Sequence, residues 1–559
     1  MPIGSDVVDG SGVMSGTTQR ESVSPNGSLP AKAVRTVWWD YVSILSAHVV
    51  FACATMFGLA LTARLLGPED YGAVVLFMGV VQFFFIVGTK WNFPAVLRFG
   101  RDVLVREGAA GRMVWAWLPL VVSSFVLCAF CMLLGSQAII RIVKLPESSI
   151  GLYLGVFLLT TIVTAVVQLL QLKGNMKMAA WAPVTSKLVF AGLLVVASVW
   201  NAWPLTPRLV IWFLVVALIV QAALSLPAIG QQTFAPVKID WRLTSMMARY
   251  SFPLWLGVIA FYVSEWVDLY FLRFFRGHGE VGVYQVSYQA FLFLAGGLAG
   301  MYTLGLPLLT TWMAEGRSDR VLRYVVRLIP QVGVLWGLCV LGLALVEGPI
   351  FSVLFGVSFA KSGALFFMLL VSSAFQPLIF LYSPLFLTHD TPGRNTVVAV
   401  LMATVNVVGD LLLVPSLGAA GAAYATAASF ALGGWLCFWW GNRRLAVDRR
   451  VAFLPSVIVA VSLLVAINQP LGVRALILFM AAGGLMWWAR AYQIFSPDDL
   501  IILEHVRCPR WVARFLATIY AFLSYRGQSL ESVRGSEGVE HSSCQKNSHE
   551  STEVVPDSP

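Results

Sequence analysis

Gly72 to Gly88 reads GAVVLFMGVVQFFFIVG, without one charged residue. Roughly 20 apolar residues carry a helix across the hydrocarbon core, and about fourteen runs approach or exceed that length here. Their limits are 41–63, 72–97, 113–134, 150–172, 179–200, 209–229, 251–272, 283–309, 328–346, 364–388, 395–415, 417–440, 452–468 and 472–489, numbered below as spans one to fourteen. Barrel strands would alternate in polarity over about ten residues. These runs are continuous, so the spans are helices and the fold class is all-α and polytopic. Composition agrees. The chain is 58% hydrophobic and 12% charged, whereas a water-covered domain carries about a quarter charged residues.

A formal net charge of +10 raises nucleic acid as a partner, but the placement of the charge excludes it. The basic residues lie in short loops between apolar runs, and they are unevenly shared. Loops after even spans hold Arg98, Arg101, Arg106 and Arg112, then Lys238, Arg242 and Arg249, then Arg317, Arg320, Arg323 and Arg327. The other set carries about half as many, which by the positive-inside rule predicts cytoplasmic N- and C-termini in the cell inner (plasma) membrane. The first residues, MPIGSDVVDGSG, have no basic or apolar signal region, so they are not expected to be a cleaved leader.

A second constraint is a turn written twice. RLLGPEDYG (Arg64–Gly72) joins spans one and two, and FFRGHGEVGVY (Phe274–Tyr284) joins spans seven and eight. With Gly67 aligned to Gly277, Asp70 falls on Glu280 and Gly72 on Gly282. Span seven enters the membrane in the same direction as span one. The chain is therefore expected to hold two pseudo-symmetric six-helix lobes related by an axis along the membrane normal, with a substrate site between them. The predicted organisation is a disordered cytoplasmic tail (1–36), an N-terminal lobe (37–230), a C-terminal lobe (231–450), two additional transmembrane helices (451–490), a cytoplasmic interfacial amphipathic helix (491–526) and a disordered tail (527–559). The interfacial helix rests on SPDDL at Ser496 and on RWVARFLATIYAFLSYRG, apolar with basic and aromatic edges.

Three stretches resemble the MOP flippase superfamily (multidrug, oligosaccharidyl-lipid and polysaccharide exporters), and within it the O-antigen and capsule-type polysaccharide flippases. They are LTARLLGPEDYGAVVL, YSFPLWLGVIAFYVSEWVDLYFLRFFRGHGEVGVYQVSYQ and NVVGDLLLVPSLGAAGAAYATAAS. The matching positions are Pro253, Asp268, Gly277, Gly279, Gly282 and Tyr284, then Asn406, Pro415, Gly418 and Gly421-Ala422-Ala423. The likeness runs from about Val37 to Arg444. It implies a transporter that flips a polyprenyl-pyrophosphate-linked glycan by alternating access. Its partners would be that lipid-linked substrate, membrane lipid and glycan-assembly proteins.

Ionisable groups at membrane depth are expensive, so each is a candidate. Tyr262, Glu265 and Asp268 in span seven share a helical face. Two readings of the acids stand: a cavity carboxylate that binds a coupling cation or proton, or an acid paired with Arg273 and Arg276 one to two turns on. Glu265 is the deeper of the two and the sharper coupling candidate; His48, near the middle of span one, is a third candidate. Lys90 and Lys187, in the inner halves of spans two and five, are candidates to draw in an anionic head group, with Arg98 and Tyr262 beside them. Against that stands snorkelling of the two lysines to the interface. Asp410, near the end of span eleven, reads as a cap or a pairing residue. The small-residue hairpin around Gly418 to Ser429 reads as close helix packing.

Catalytic chemistry is not legible: there is no Walker motif, no H-E-x-x-H and no G-x-S-x-G. No cofactor or metal is expected, and the chain is not expected to be an enzyme. The rivals are an ion-coupled drug or small-metabolite exporter of the same superfamily, and a membrane polysaccharide polymerase or ligase. The first should carry a coupling acid in the first lobe, where only Asp40 offers one. The second usually needs a large outer loop, and every such loop here is short.

Overall fold

In the computed structural model, residues 31–107, 109–144, 149–200, 205–234, 238–388, 393–443 and 449–495 are described. The regular elements among them are all helical. Among the described residues, twelve helices are long and apolar enough to cross a membrane. The first, Ser46–Glu107, contains both span one and span two, and Ala452–Ala466 is a shorter apolar helix in the place of span thirteen. About fourteen crossing segments result, as the apolar runs predict.

Helix formation extends further at the start than expected. The first helix begins at Ala31, inside the segment 1–36 read as a disordered tail. At the other end the last described helix, Leu471–Ala491, stops at Ala491. Apart from residues 491–495, the expected interfacial helix lies outside the described residues, as do residues 1–30 and the tail 527–559.

Spans one to six pack largely on one another, span five lying against spans one and six. Aromatic contacts bind this group: Phe77 meets Tyr153 at 4.2 Å and Phe125 stacks on Phe157 at 4.7 Å. In the second group span eleven (Gly393–Leu417) lies along span twelve (Ala419–Asn442) and span seven (Trp241–Phe275). Missing side chains allow the closeness: a Cβ on Gly409 would stand 2.7 Å from that of Ala425. Spans thirteen and fourteen pack on span nine of the second group. Arg474 of span fourteen fixes that docking, pairing with Glu347 at 2.5 Å, donating to the Ala344 carbonyl at 2.6 Å and covering the Phe367 ring at 3.8 Å.

Span two is not a continuous α-helix. It relaxes into a π turn over Phe84–Thr89 and a 3-10 turn over Lys90–Asn92 before a new helix starts at Pro94. Pro94 has no N–H to donate and its ring crowds the carbonyl four residues back, so the α-helix cannot run through it. Asn92 seals the break. Its amide donates to the Thr89 carbonyl at 2.8 Å, and its oxygen accepts from the Trp117 indole at 2.7 Å.

Candidate functional site

The two repeated turns meet each other. Gly67 (φ 75°, ψ 174°) and Gly277 (φ 102°, ψ −175°) adopt nearly the same backbone conformation, in a region essentially reserved for glycine. Each turn then presents its second glycine to the other. A Cβ on Gly72 would stand inside the van der Waals envelope of the His278 carbonyl and 3.1 Å from the Gly282 nitrogen. Reciprocally, a Cβ on Gly282 would collide with the Pro68 carbonyl and lie 3.2 Å from the Gly72 nitrogen. The pairs 72/278 and 282/68 exchange under the repeat alignment, so the contact has the pseudo-two-fold symmetry of the sequence repeat. Tyr71 and Phe359, both buried, add a ring contact at 6.2 Å between the groups. The two groups are thus sealed at this end of the molecule, here termed the turn end.

Below the seal, span seven runs against the irregular part of span two. The Tyr262 hydroxyl donates to the Gly79 carbonyl at 3.0 Å and contacts the Tyr270 hydroxyl at 2.7 Å. Trp255 donates to the Val87 carbonyl at 2.7 Å, within the π turn. Tyr262, expected to touch substrate, is therefore buried in the joint between the groups, with its hydroxyl occupied. Lys90 is exposed at the break and Glu265 is half-buried on span seven. Lys90 is the cation whose charge acts on Glu265 across the joint.

Asp268 makes a different arrangement from the acid–arginine pair that its spacing to Arg273 and Arg276 allows. It is 2% exposed, accepts from the Tyr284 hydroxyl and accepts from Thr426 at 3.1 Å. Asp410, 0% exposed, lies within hydrogen-bonding reach of it. Asn406, one turn before Asp410, donates to Thr426 at 3.5 Å. The arginines go elsewhere: Arg276 caps the end of span eleven through the Pro415 and Ser416 carbonyls, at 2.8 and 2.7 Å, and Arg273 donates to the Ile142 carbonyl at 2.8 Å. Asp268 Oδ1 and both carboxylate oxygens of Asp410 are buried without a hydrogen-bond donor among the described residues. Left doubly ionised in so dry a place they would cost several kcal/mol, so the pair needs a shared proton or a cation. Carboxylate, amide and hydroxyl oxygens make a hard-cation donor set.

Sequence reasoning placed Asp268 in a coupling role and missed its partners. In the sequence Asp410 reads as a cap or a pairing residue, while Tyr284, Asn406 and Thr426 are legible only as family motif or packing positions. The i, i+4 spacing of Asn406 and Asp410 was the available signal. The remaining candidates have separate surroundings. Lys187 lies with its ammonium 5.7 Å from the Phe51 ring centre, between spans five and one. Arg98 is exposed and 3.7 Å from Asp102 on its own helix. His48 is exposed, its Nδ1 2.8 Å from the Ile44 carbonyl of its own turn.

At the opposite, tail end, contact between the groups runs through the start of span seven. Arg112 pairs with Asp240 at 2.5 Å, and the Thr244 hydroxyl donates to the Ala116 carbonyl at 2.7 Å. The Arg112 guanidinium holds the Asp240 carboxyl below its ordinary value of 3.8.

Comparison with known proteins follows the same lines. The family described as "Polysaccharide biosynthesis protein" matches residues 37–313. A protein from Haloferax volcanii named "Probable flippase AglR" is 28% identical over 190 residues, covering 33% of this chain and 39% of that relative, so the alignment spans well under half of its length. Among solved structures, the lipid II flippase MurJ in an inward closed conformation superposes with a TM-score of 0.60 at 13% identity, over 79% of this chain and 98% of that one. An inward-facing multidrug resistance MATE transporter of the MOP superfamily gives 0.56 at 14% identity, over 70% and 94%. The solved structures bear on the fold alone, and they carry the same helical architecture. The family match covers just under half of the chain, and with the flippase relative it makes this chain similar to polysaccharide-biosynthesis and flippase proteins, while the solved structures show that it shares their helical fold.

Proposed function

We propose that the protein is a transporter, not an enzyme, that flips a lipid-linked oligosaccharide, a polyprenyl-pyrophosphate glycan, across the inner membrane in polysaccharide biosynthesis. Both termini are cytoplasmic and the turn end faces outward. Spans one to six (37–230) and seven to twelve (231–450) are the two moving lobes. The carrying observation is the symmetric seal at Gly72 and Gly282: its two halves belong to different lobes and present backbone to backbone, so they can part as rigid pieces. Glycan and pyrophosphate occupy the space between the lobes while the polyprenyl tail stays in lipid. Lys90, at the break of span two, is the first cation for the pyrophosphate, with Lys187 and Arg98 contributing positive potential from the first lobe.

The acid pair Asp268–Asp410 supplies the energy link. A proton or monovalent cation bound there halves the charge of the doubly ionised pair, and its release restores it. Glu265, beside Lys90, is the acid closest to the substrate path. The names of the relatives, a probable flippase and a lipid II flippase, support the substrate class. A second reading, an ion-coupled exporter of small molecules, draws on the same acid pair and on the likeness to a MATE transporter.

The deciding experiment reconstitutes the purified protein in vesicles with a fluorescent polyprenyl-pyrophosphate oligosaccharide and, separately, with cationic dyes. Quenching of the glycan label from the far side at a rate dependent on protein supports the flippase. Dye flux without glycan movement would replace it with the exporter.

A further inference from the structure

The glycine cross explains how closely the lobes approach at the turn end, but glycines provide no directional grip. That grip comes from two arginines that cross in opposite directions. Arg64, at the end of span one in the first lobe, donates through Nη2 to the carbonyl of Val353 in the second. Val353 sits in the last turn of Ile329–Phe355. Arg273, at the end of span seven in the second lobe, donates through Nε to the carbonyl of Ile142 at 2.8 Å. Ile142 sits in the last turn of Ser136–Val143 in the first lobe. His278 adds a contact of 2.6 Å to the Val143 carbonyl on that same helix end.

Each target is one of the carbonyls that a helix C-terminus leaves without an intrahelical partner, at the negative end of its dipole. Each guanidinium therefore caps a helix in the opposite lobe. The repeat alignment does not pair these residues, since it puts Arg64 opposite Phe274. The same device has been built twice from different sequence positions. A carbonyl is also a suitable partner for a joint that must open, because water satisfies it on separation, whereas an abandoned buried carboxylate would be costly.

We infer that Arg64 and Arg273 are positioning residues of the transport cycle, a pair of reciprocal helix caps that sets how often the turn-end seal opens. The inference rests on the alternating-access reading above for its consequence in transport, but not for its test. The test uses the full chain, cysteine-free, in lipid vesicles without substrate. Spin labels at Asp70 and Val357, exposed positions flanking the Tyr71–Phe359 contact, report the separation of the lobes. Wild type should give mainly a short distance. Arg64→Gln and Arg273→Gln should each raise the ratio of long to short distances about tenfold, the worth of one charge-assisted hydrogen bond. The double variant should open further. Arg→Lys at either site, which keeps the charge but not the fork, should give a smaller shift in the same direction. Unchanged distances in both glutamine variants and the double would overturn the latch. If a glutamine variant yields no folded protein, the lysine variants carry the decision, and no shift in either overturns it. Glycan flipping lost with distances unchanged also overturns the latch and leaves the flippase reading intact. Shifted distances in a protein that flips no glycan support the latch and remove the substrate assignment.

Discussion

The two lobes share their turns and differ in their interiors. Gly67 and Gly277 have matching backbone, and Gly72 and Gly282 make the same contact from opposite sides. One layer down, the likeness ends. At the offset that superposes the turns, Asp268 falls on Gly58 and Tyr284 on Val74. A Cβ on Gly58 would stand 3.4 Å from the Phe190 ring, at the position where the second lobe holds its acid cluster. Geometry has been kept where both lobes must fit together, while chemistry has been concentrated in one of them. On the proposed function, the joint is symmetric and the energy site asymmetric.

The largest expected effect sharpens the asymmetric half. Asp268→Asn and Asp410→Asn should each cut glycan flux at least about tenfold, and the double variant should be no worse than the poorer single, since the acids act as one unit. Equal loss from Gly58→Ala, assayed in the same vesicles, would erase the distinction between the lobes. Asp268→Asn breaks no ion pair with Arg273 or Arg276, because both arginines bind carbonyls instead.

Next in size is the symmetric half. Gly72→Val and Gly282→Val each force apart a backbone contact; at roughly 1–3 kcal/mol for overpacking, flux should fall about tenfold or more. The two losses should agree within about twofold, given that rough scale. A large effect from one glycine alone would show that the joint is not symmetric in function.

Smaller changes are expected between the lobes. Lys90→Ala should lower glycan flux about threefold and Lys90→Glu more, with Glu265→Gln comparable to the alanine variant, as for one partly solvated charge. Normal flux in both Lys90 variants would return that lysine to a snorkelling role. The smallest effect belongs to the tail end. Asp240→Asn removes an exposed ion pair, and flux should change by no more than about twofold. Because Arg112 holds Asp240 below its ordinary 3.8, the link is complete at neutral pH and is lost only in acid, as pH falls below that ordinary value and through the lower folded one. Tail-end cross-linking followed against pH should be flat above that range.

Much of the architecture was legible because a bilayer reads sequence almost one residue at a time. Apolar length sets each span, and Gly67 and Gly277 mark turns that other residues cannot make. The break in span two was visible at Pro94. The partners of Asp268 were not, because Tyr284, Asn406, Asp410 and Thr426 come from three other helices. A linear reading offered Arg273 and Arg276 as the nearest charges along the chain, and along the chain they are. On a helix, however, five to eight residues are one to two turns of rise and a rotation away from the acid.

By itself, the sequence determined an all-helical membrane protein of two repeated units, since hydrophobic length and the φ > 0 demand of a glycine turn are local properties. Only the tertiary structure decided that the repeated turns face each other, that Tyr262 serves the joint, that the acids share one dry site and that each arginine caps the other lobe. Those outcomes depend on helix rotation and on which carbonyls a neighbour leaves free, and both are set by packing among segments far apart in the chain.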